Sequence, residues 1–101
     1  LISIAVACCG SNINKYQISL LTNILGANEI TIAFDKEYTD WRSNEAREYR
    51  TKIEGICKTY KHKAVFYYIW DMDNLLGYKD SPFDKGKEVF DELYKKRIRV
   101  R

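Results

Sequence analysis

Three short apolar segments, each followed by a stretch with helical periodicity, constrain this chain more than any other feature of its sequence. The first, Ile2-Ser3-Ile4-Ala5-Val6-Ala7, is β-branched, ends at Gly10-Ser11-Asn12, and reads as a strand buried on both faces. Glu29 to Asp35 forms a second short apolar strand, and Ala64 to Trp70 a third that is rich in aromatic and β-branched residues. Between the first two, Asn12 or Asn14 caps a helix carrying Ile13, Leu20, Leu21, Ile24 and Leu25, and Gly26 closes it as the residue after the C-cap. Asp40 or Ser43 caps a longer helix that runs to about Lys61, with Ala46, Tyr49, Ile53, Ile56, Cys57 and Tyr60 on one stripe. After the third strand, Ser81-Pro82-Phe83-Asp84 has the residue order of a helix start, and the helix buries Val89, Phe90, Leu93 and Tyr94. Parallel strands need helical crossovers, so the pattern predicts an α/β fold: a three-layer, Rossmann-like parallel sheet in the order β-α-β-α-β-α with right-handed connections. The basic tail from Lys95 to Arg101 is read as either a short final strand or an exit segment.

At 101 residues the chain makes a single domain, residues 1–101. A hydrophobic fraction of 46 % with 31 % charged residues excludes disorder. The longest apolar runs, Ile4 to Cys9 and Ala64 to Trp70, fall far short of the roughly 18 residues of a membrane helix, so no membrane partner is expected. A net charge of +3 permits a nucleic-acid partner without demanding one. Cys8, Cys9 and Cys57 form no C-x-x-C pair and are odd in number, which argues against a zinc ribbon or a disulfide scaffold and for buried thiols in a reducing cytoplasm. The chain opens on Leu1-Ile2-Ser3 directly in a strand, so a segment of a longer protein is expected.

Ligands of open parallel sheets sit beyond the carboxyl ends of the strands, where this sequence places acids. Asp35 and Glu37 follow the second strand two residues apart and point the same way from an extended chain. Asp71-Met72-Asp73-Asn74 and then Lys79-Asp80 follow the third. Hard oxygen donors dominate this edge, with His62 the only histidine, so Mg²⁺ or Mn²⁺ is the metal such a set would take. Acids at strand ends also serve as turns and caps: Asp84 reads as a cap, Asp71 and Asp73 as a turn, and Asp80 gains from a helix dipole without any metal.

The run Ile30-Thr31-Ile32-Ala33-Phe34-Asp35-Lys36-Glu37-Tyr38, the earlier Val6-Ala7-Cys8-Cys9-Gly10-Ser11 before a helix with Gln17, and the later Lys79-Asp80-Ser81-Pro82-Phe83-Asp84-Lys85-Gly86 occur in an order that resembles the toprim domain of bacterial and phage-type DNA primases. The resemblance covers nearly the whole chain and corresponds to the C-terminal part of a toprim unit. The family's D-x-D pair reads Asp35-Lys36-Glu37 here, and the N-terminal strand with the family's catalytic glutamate has no counterpart before Ile2. The resemblance implies a DNA primase of phage type: metal-dependent nucleotidyl transfer that joins ribonucleotides into RNA primers on single-stranded DNA in DNA replication. Asp35, Glu37 and Asp80 would be its catalytic and Mg²⁺- or Mn²⁺-binding residues. Lys36 and Lys79 would be weak nucleic-acid contacts, and a replicative helicase a further partner. The isolated chain would be inactive. Tyr38, Trp41 and Tyr78 lie near enough to stack on bases, although packing is the plainer explanation, with Trp41 sealing the sheet edge. Two alternatives stand beside this: a toprim-type nuclease or topoisomerase domain, and a non-catalytic α/β module that binds nucleic acid or protein.

Overall fold

The computed structural model describes residues 2–6 and 13–101 and shows how the elements assemble. They are β1 (Ser3–Val6), α1 (Lys15–Ser19) continued by a π-helical turn (Leu20–Ile24), β2 (Glu29–Ile32), α2 (Asn44–Tyr60), β3 (Val65–Tyr68), α3 (Lys87–Lys95) and β4 (Ile98–Val100). The sheet order is β1-β2-β3-β4. β1 and β3 both run parallel to β2, whereas β4 runs antiparallel to β3.

The expected wholly parallel sheet is therefore a mixed one, because the basic tail is a strand. Its direction follows from where α3 delivers the chain. Arg97 lies over the rings of Tyr67 and Tyr94 and pairs with Glu29 at 3.1 Å, so the tail enters beside Tyr68 and runs back along β3. Ile98 and Val100 then align with Tyr68 and Phe66.

Side chains alternate across a strand, and the alternation separates two cores. Ile30, Ile32, Phe66, Tyr68 and Val100 share one face with Ile18 of α1 and Ala46, Ile53 and Cys57 of α2. Ala33 and Ile69, of opposite parity, pack with Leu76 and with Leu93 of α3. This gives helices on both faces of a central sheet. Each fully buried Ile or Phe in it contributes on the order of 1.5–3 kcal/mol of transfer free energy.

The α2 helix matches its sequence pattern: Ser43 Oγ accepts from the Ala46 N–H at 3.1 Å, and Ala46, Ile53 and Cys57 are buried on the expected stripe. Asn14 caps α1 reciprocally with Gln17, and Gly26 takes φ +70° after it. The rest of this helix departs from expectation. The Leu25 N–H donates to the Leu20 carbonyl, an i to i+5 bond, and this wider turn rotates Leu20, Ile24 and Leu25 out to solvent while Ile18 fills the core.

Two further expectations are corrected. α3 begins at Lys87, not after Ser81. Asp84 accepts from the Ser81 N–H at 2.8 Å as anticipated, but the bond closes an isolated turn, and Gly86 at φ +92° separates that turn from the helix. β1 is an edge strand with Ser3 exposed and Ile4 half-buried, so it is not covered on both faces. Cys8, Cys9 and the alternative cap Asn12 lie outside the described residues.

Candidate functional site

The carboxyl ends of β2 and β3 meet through a lysine. Lys36 is 4 % exposed, and its ammonium donates to Asp71 Oδ2 at 3.0 Å, Asn74 Oδ1 at 2.9 Å and the Leu76 carbonyl at 2.9 Å. Three donors meet three acceptors, so Lys36 is an internal strut and has no donor left for a nucleic-acid phosphate. Asp71 organises the loop from the other side, accepting from the N–H groups of Leu75 and Leu76 at 3.0 and 2.8 Å. Burial pushes its carboxyl up, but these two N–H donors and the Lys36 ammonium outweigh that and hold it below the ordinary carboxylate range. Asp71 is thus a buried residue that closes the loop through N–H groups four and five residues on, and Asp73 pairs with Lys96, so the two do not simply form the local turn expected of them.

The strut positions a short backbone pairing. The Lys36 N–H donates to the Asp80 carbonyl at 2.8 Å and the Lys79 N–H to the Lys36 carbonyl at 2.7 Å. Asp35-Lys36-Glu37 is thereby fixed against Lys79-Asp80, more than forty residues away in sequence. The turn leading into this pairing places Lys79 at φ +71°. The Asp80 carboxylate accepts from the Gly77 N–H at 2.7 Å, an approach so close that a Cβ at Gly77 would lie 3.0 Å from the same oxygen.

The three acids named from the sequence thus share one edge, with lysines among them. Glu37 binds the Lys79 ammonium, which is raised in pKa chiefly by that hydrogen bond and also by the charge of Asp35. Lys85 lies 3.5 Å from Asp80. Asp35 is half-buried, and its carbonyl accepts from the Tyr49 hydroxyl at 2.7 Å. Among the described residues no group of three or more His, Cys, Asp or Glu side chains is arranged to hold a metal ion. The donors are of the right kind for Mg²⁺ or Mn²⁺, and a cation at this edge would compete with Lys79 for Glu37 Oε2 and with Lys85 for Asp80 Oδ2.

The aromatic candidates divide. Tyr38 is buried, stacked on Trp70 with ring centroids 4.4 Å apart, and its hydroxyl donates to the Asp71 carbonyl and accepts from the Asp71 N–H. Burial raises its pKa, and the ring is closed to a base. Trp41 and Tyr78 are exposed. The basic tail is engaged within the fold, Lys96 with Asp73 at 2.7 Å and Arg97 with Glu29.

Sequence reasoning missed a second feature beside this edge. Trp41, Arg42, Ser43, Arg47, Arg50 and Trp70 line an open groove of about 280 Å³ at the N-terminus of α2. Its signal was legible, since Ser43, Arg47 and Arg50 are spaced to share one helix face. No described helix is long and apolar enough to cross a membrane.

The chain is 36 % identical over 102 residues to the SPbeta prophage-derived uncharacterized protein YorJ of Bacillus subtilis (strain 168). The match covers 93 % of this chain and 26 % of that protein, so the chain spans about a quarter of the length of its relative. No protein-family model matches the chain, and no solved structure does.

Proposed function

We propose that this chain is the C-terminal part of a toprim-type domain from a phage-related DNA primase, in which the edge formed by Asp35, Glu37 and Asp80 serves nucleotidyl transfer on single-stranded DNA. The observation that carries the reading is the backbone pairing of Lys36 with Lys79 and Asp80. Two of the three segments that carry the resemblance, Ile30 to Tyr38 and Lys79 to Gly86, lie far apart in sequence, and this pairing sets them side by side at the carboxyl edge of the sheet, where α/β folds bind ligands. Similarity to a prophage-derived protein agrees with a phage-related origin. When bound, a divalent cation would neutralise charge on the nucleotide phosphates. The chain's own part is to keep three carboxylates on one rigid edge through the Lys36 strut and the Gly77 turn, with Lys79 and Lys85 holding their charge in balance.

One observation favours a second reading, a non-catalytic module that binds nucleic acid: the lysines already neutralise Glu37 and Asp80. The two readings separate in a chimera in which this chain replaces the matching quarter of the prophage protein. On the primase reading the chimera incorporates labelled ribonucleotide on a single-stranded template, and Asp35→Asn, Glu37→Gln or Asp80→Asn each abolishes incorporation. Lack of incorporation by the chimera, or incorporation indifferent to all three changes, overturns it.

A further inference from the structure

The groove at the start of α2 has the chemistry of a strand-binding surface. Ser43 caps the helix with its side chain, and Arg47 and Arg50 follow on the same face at positions i+4 and i+7. Arg42 is drawn to Asp40 at 3.4 Å in a pair that is largely exposed, 73 % and 53 % by side chain, and its guanidinium lies 5.8 Å from the Trp41 ring centroid. Arg50 donates to the Tyr68 hydroxyl at 2.6 Å and lies 5.6 Å from the Trp70 ring centroid. Arg47 is exposed and makes no ion pair among the described residues. The groove therefore gathers three guanidinium groups, with one carboxylate, Asp40, paired to Arg42 and another, Glu54, 3.7 Å from Arg50.

Two aromatic residues complete it, and they differ. Trp41 is 43 % exposed, leaving its ring open to a planar partner. Trp70 is only 5 % exposed and lines the groove, yet its indole Nε1 is buried with no hydrogen-bond partner. A buried indole N–H without an acceptor is costly and uncommon in a folded protein.

We infer that this groove binds single-stranded nucleic acid, one base stacking on Trp41 while a phosphate is held by Arg47 at the N-terminus of α2, with Arg42 and Arg50 beside it. Stacking on an exposed aromatic ring combined with cations that follow the backbone is the general mode of single-strand recognition. Guanidinium groups suit phosphate oxygens better than ammonium groups do, because their donors are planar and paired. The helix N-terminus adds favourable potential for the same charge. A volume of about 280 Å³ on an open surface suits one nucleotide unit of a strand. The inference shares with the proposed function only its class of polymer, and it stands even if the acidic edge is inert.

The test is fluorescence anisotropy of the 101-residue chain with a labelled oligo-dT, at several salt concentrations, for wild type, Trp41→Ala, Arg47→Gln and Lys95→Gln. Wild type is expected to bind. Trp41→Ala should weaken binding about ten-fold, and Arg47→Gln should weaken it while lowering the salt slope by roughly 0.7. Lys95→Gln, which removes one exposed positive charge from α3 on the opposite face of the sheet, should leave binding unchanged and so separates this groove from general charge. Both groove residues are exposed, so far-ultraviolet circular dichroism should match wild type. An abasic strand of the same length should bind less tightly than oligo-dT. No binding by wild type, unaltered binding in both groove variants, or equal affinity for the abasic strand would overturn the inference.

Discussion

Lys36 and Asp71, thirty-five residues apart, form an ion pair of 3.0 Å with both side chains almost wholly buried, 3 % and 1 % exposed. The pair ties the end of β2 to the end of β3 and sets the level at which Asp35, Glu37 and Asp80 emerge. A buried pair of this kind fixes geometry more than it adds net stability, because desolvation of the two charges offsets most of their attraction. Breaking it is another matter, since the remaining charge stays buried alone.

Lys36→Met should therefore lower unfolding stability by about 3 to 5 kcal/mol in urea titrations. A loss below about 1 kcal/mol would show that water reaches Asp71 and that the strut is not sealed.

The same pair sets a pH dependence. Asp71 has a native pKa below its unfolded value, so its contribution is fully present above the unfolded pKa of about 3.9 and is lost as pH falls through the lower native value. Stability should decline through this acidic window in wild type and decline less steeply in Asp71→Asn. Equal slopes in the two proteins would remove Asp71 as the source.

Cys57 is buried against the sheet, and burial first, then the nearby charge of Glu54, pushes its thiol up to about 12. At pH 8 it should resist iodoacetamide in the folded protein and react fully in denaturant, as read by mass mapping of its own peptide. Labelling at comparable rates in both states would contradict this burial.

Gly86 adopts φ +92°, with nothing within 4 Å of where a Cβ would sit, so backbone strain alone opposes substitution. Gly86→Ala should cost about 1 to 2 kcal/mol, against a few tenths for Ala at exposed Lys85. Equal costs at the two positions would mean that α3 can start one turn earlier.

That position also shows where the sequence was legible and where it was not. Ser43 and the Ala46, Ile53, Cys57 stripe were readable because cap chemistry and helical period agreed. Ser81-Pro82-Phe83-Asp84 carried the same cap chemistry, but Gly86, five residues on, decided the local conformation. The π-helical turn after α1 left no mark in composition, because Leu20, Ile24 and Leu25 keep a helical spacing while the backbone widens beneath them. At the site, the acids after β2 and β3 were visible as acids. The burial of Lys36 was not, since a lysine between two carboxylates reads as solvated until the loop from Asp71 to Leu76 closes over it.

The lysines at the acidic edge give a further expectation. Lys79 occupies Glu37 and feels the charge of Asp35, so Lys79→Met should free the Glu37 carboxylate and tighten Mn²⁺ binding by roughly two- to five-fold. Unchanged or weaker binding would mean that Lys79 does not compete with a cation there.

The most direct measurement is a Mn²⁺ titration of the ¹⁵N-labelled chain, comparing wild type with Asp35→Asn. The account predicts amide broadening centred on Asp35, Glu37, Lys79 and Asp80 that disappears in the variant. Broadening scattered over the acidic surface, or unaffected by Asp35→Asn, would contradict the claim that this edge is a nucleotidyl-transfer site.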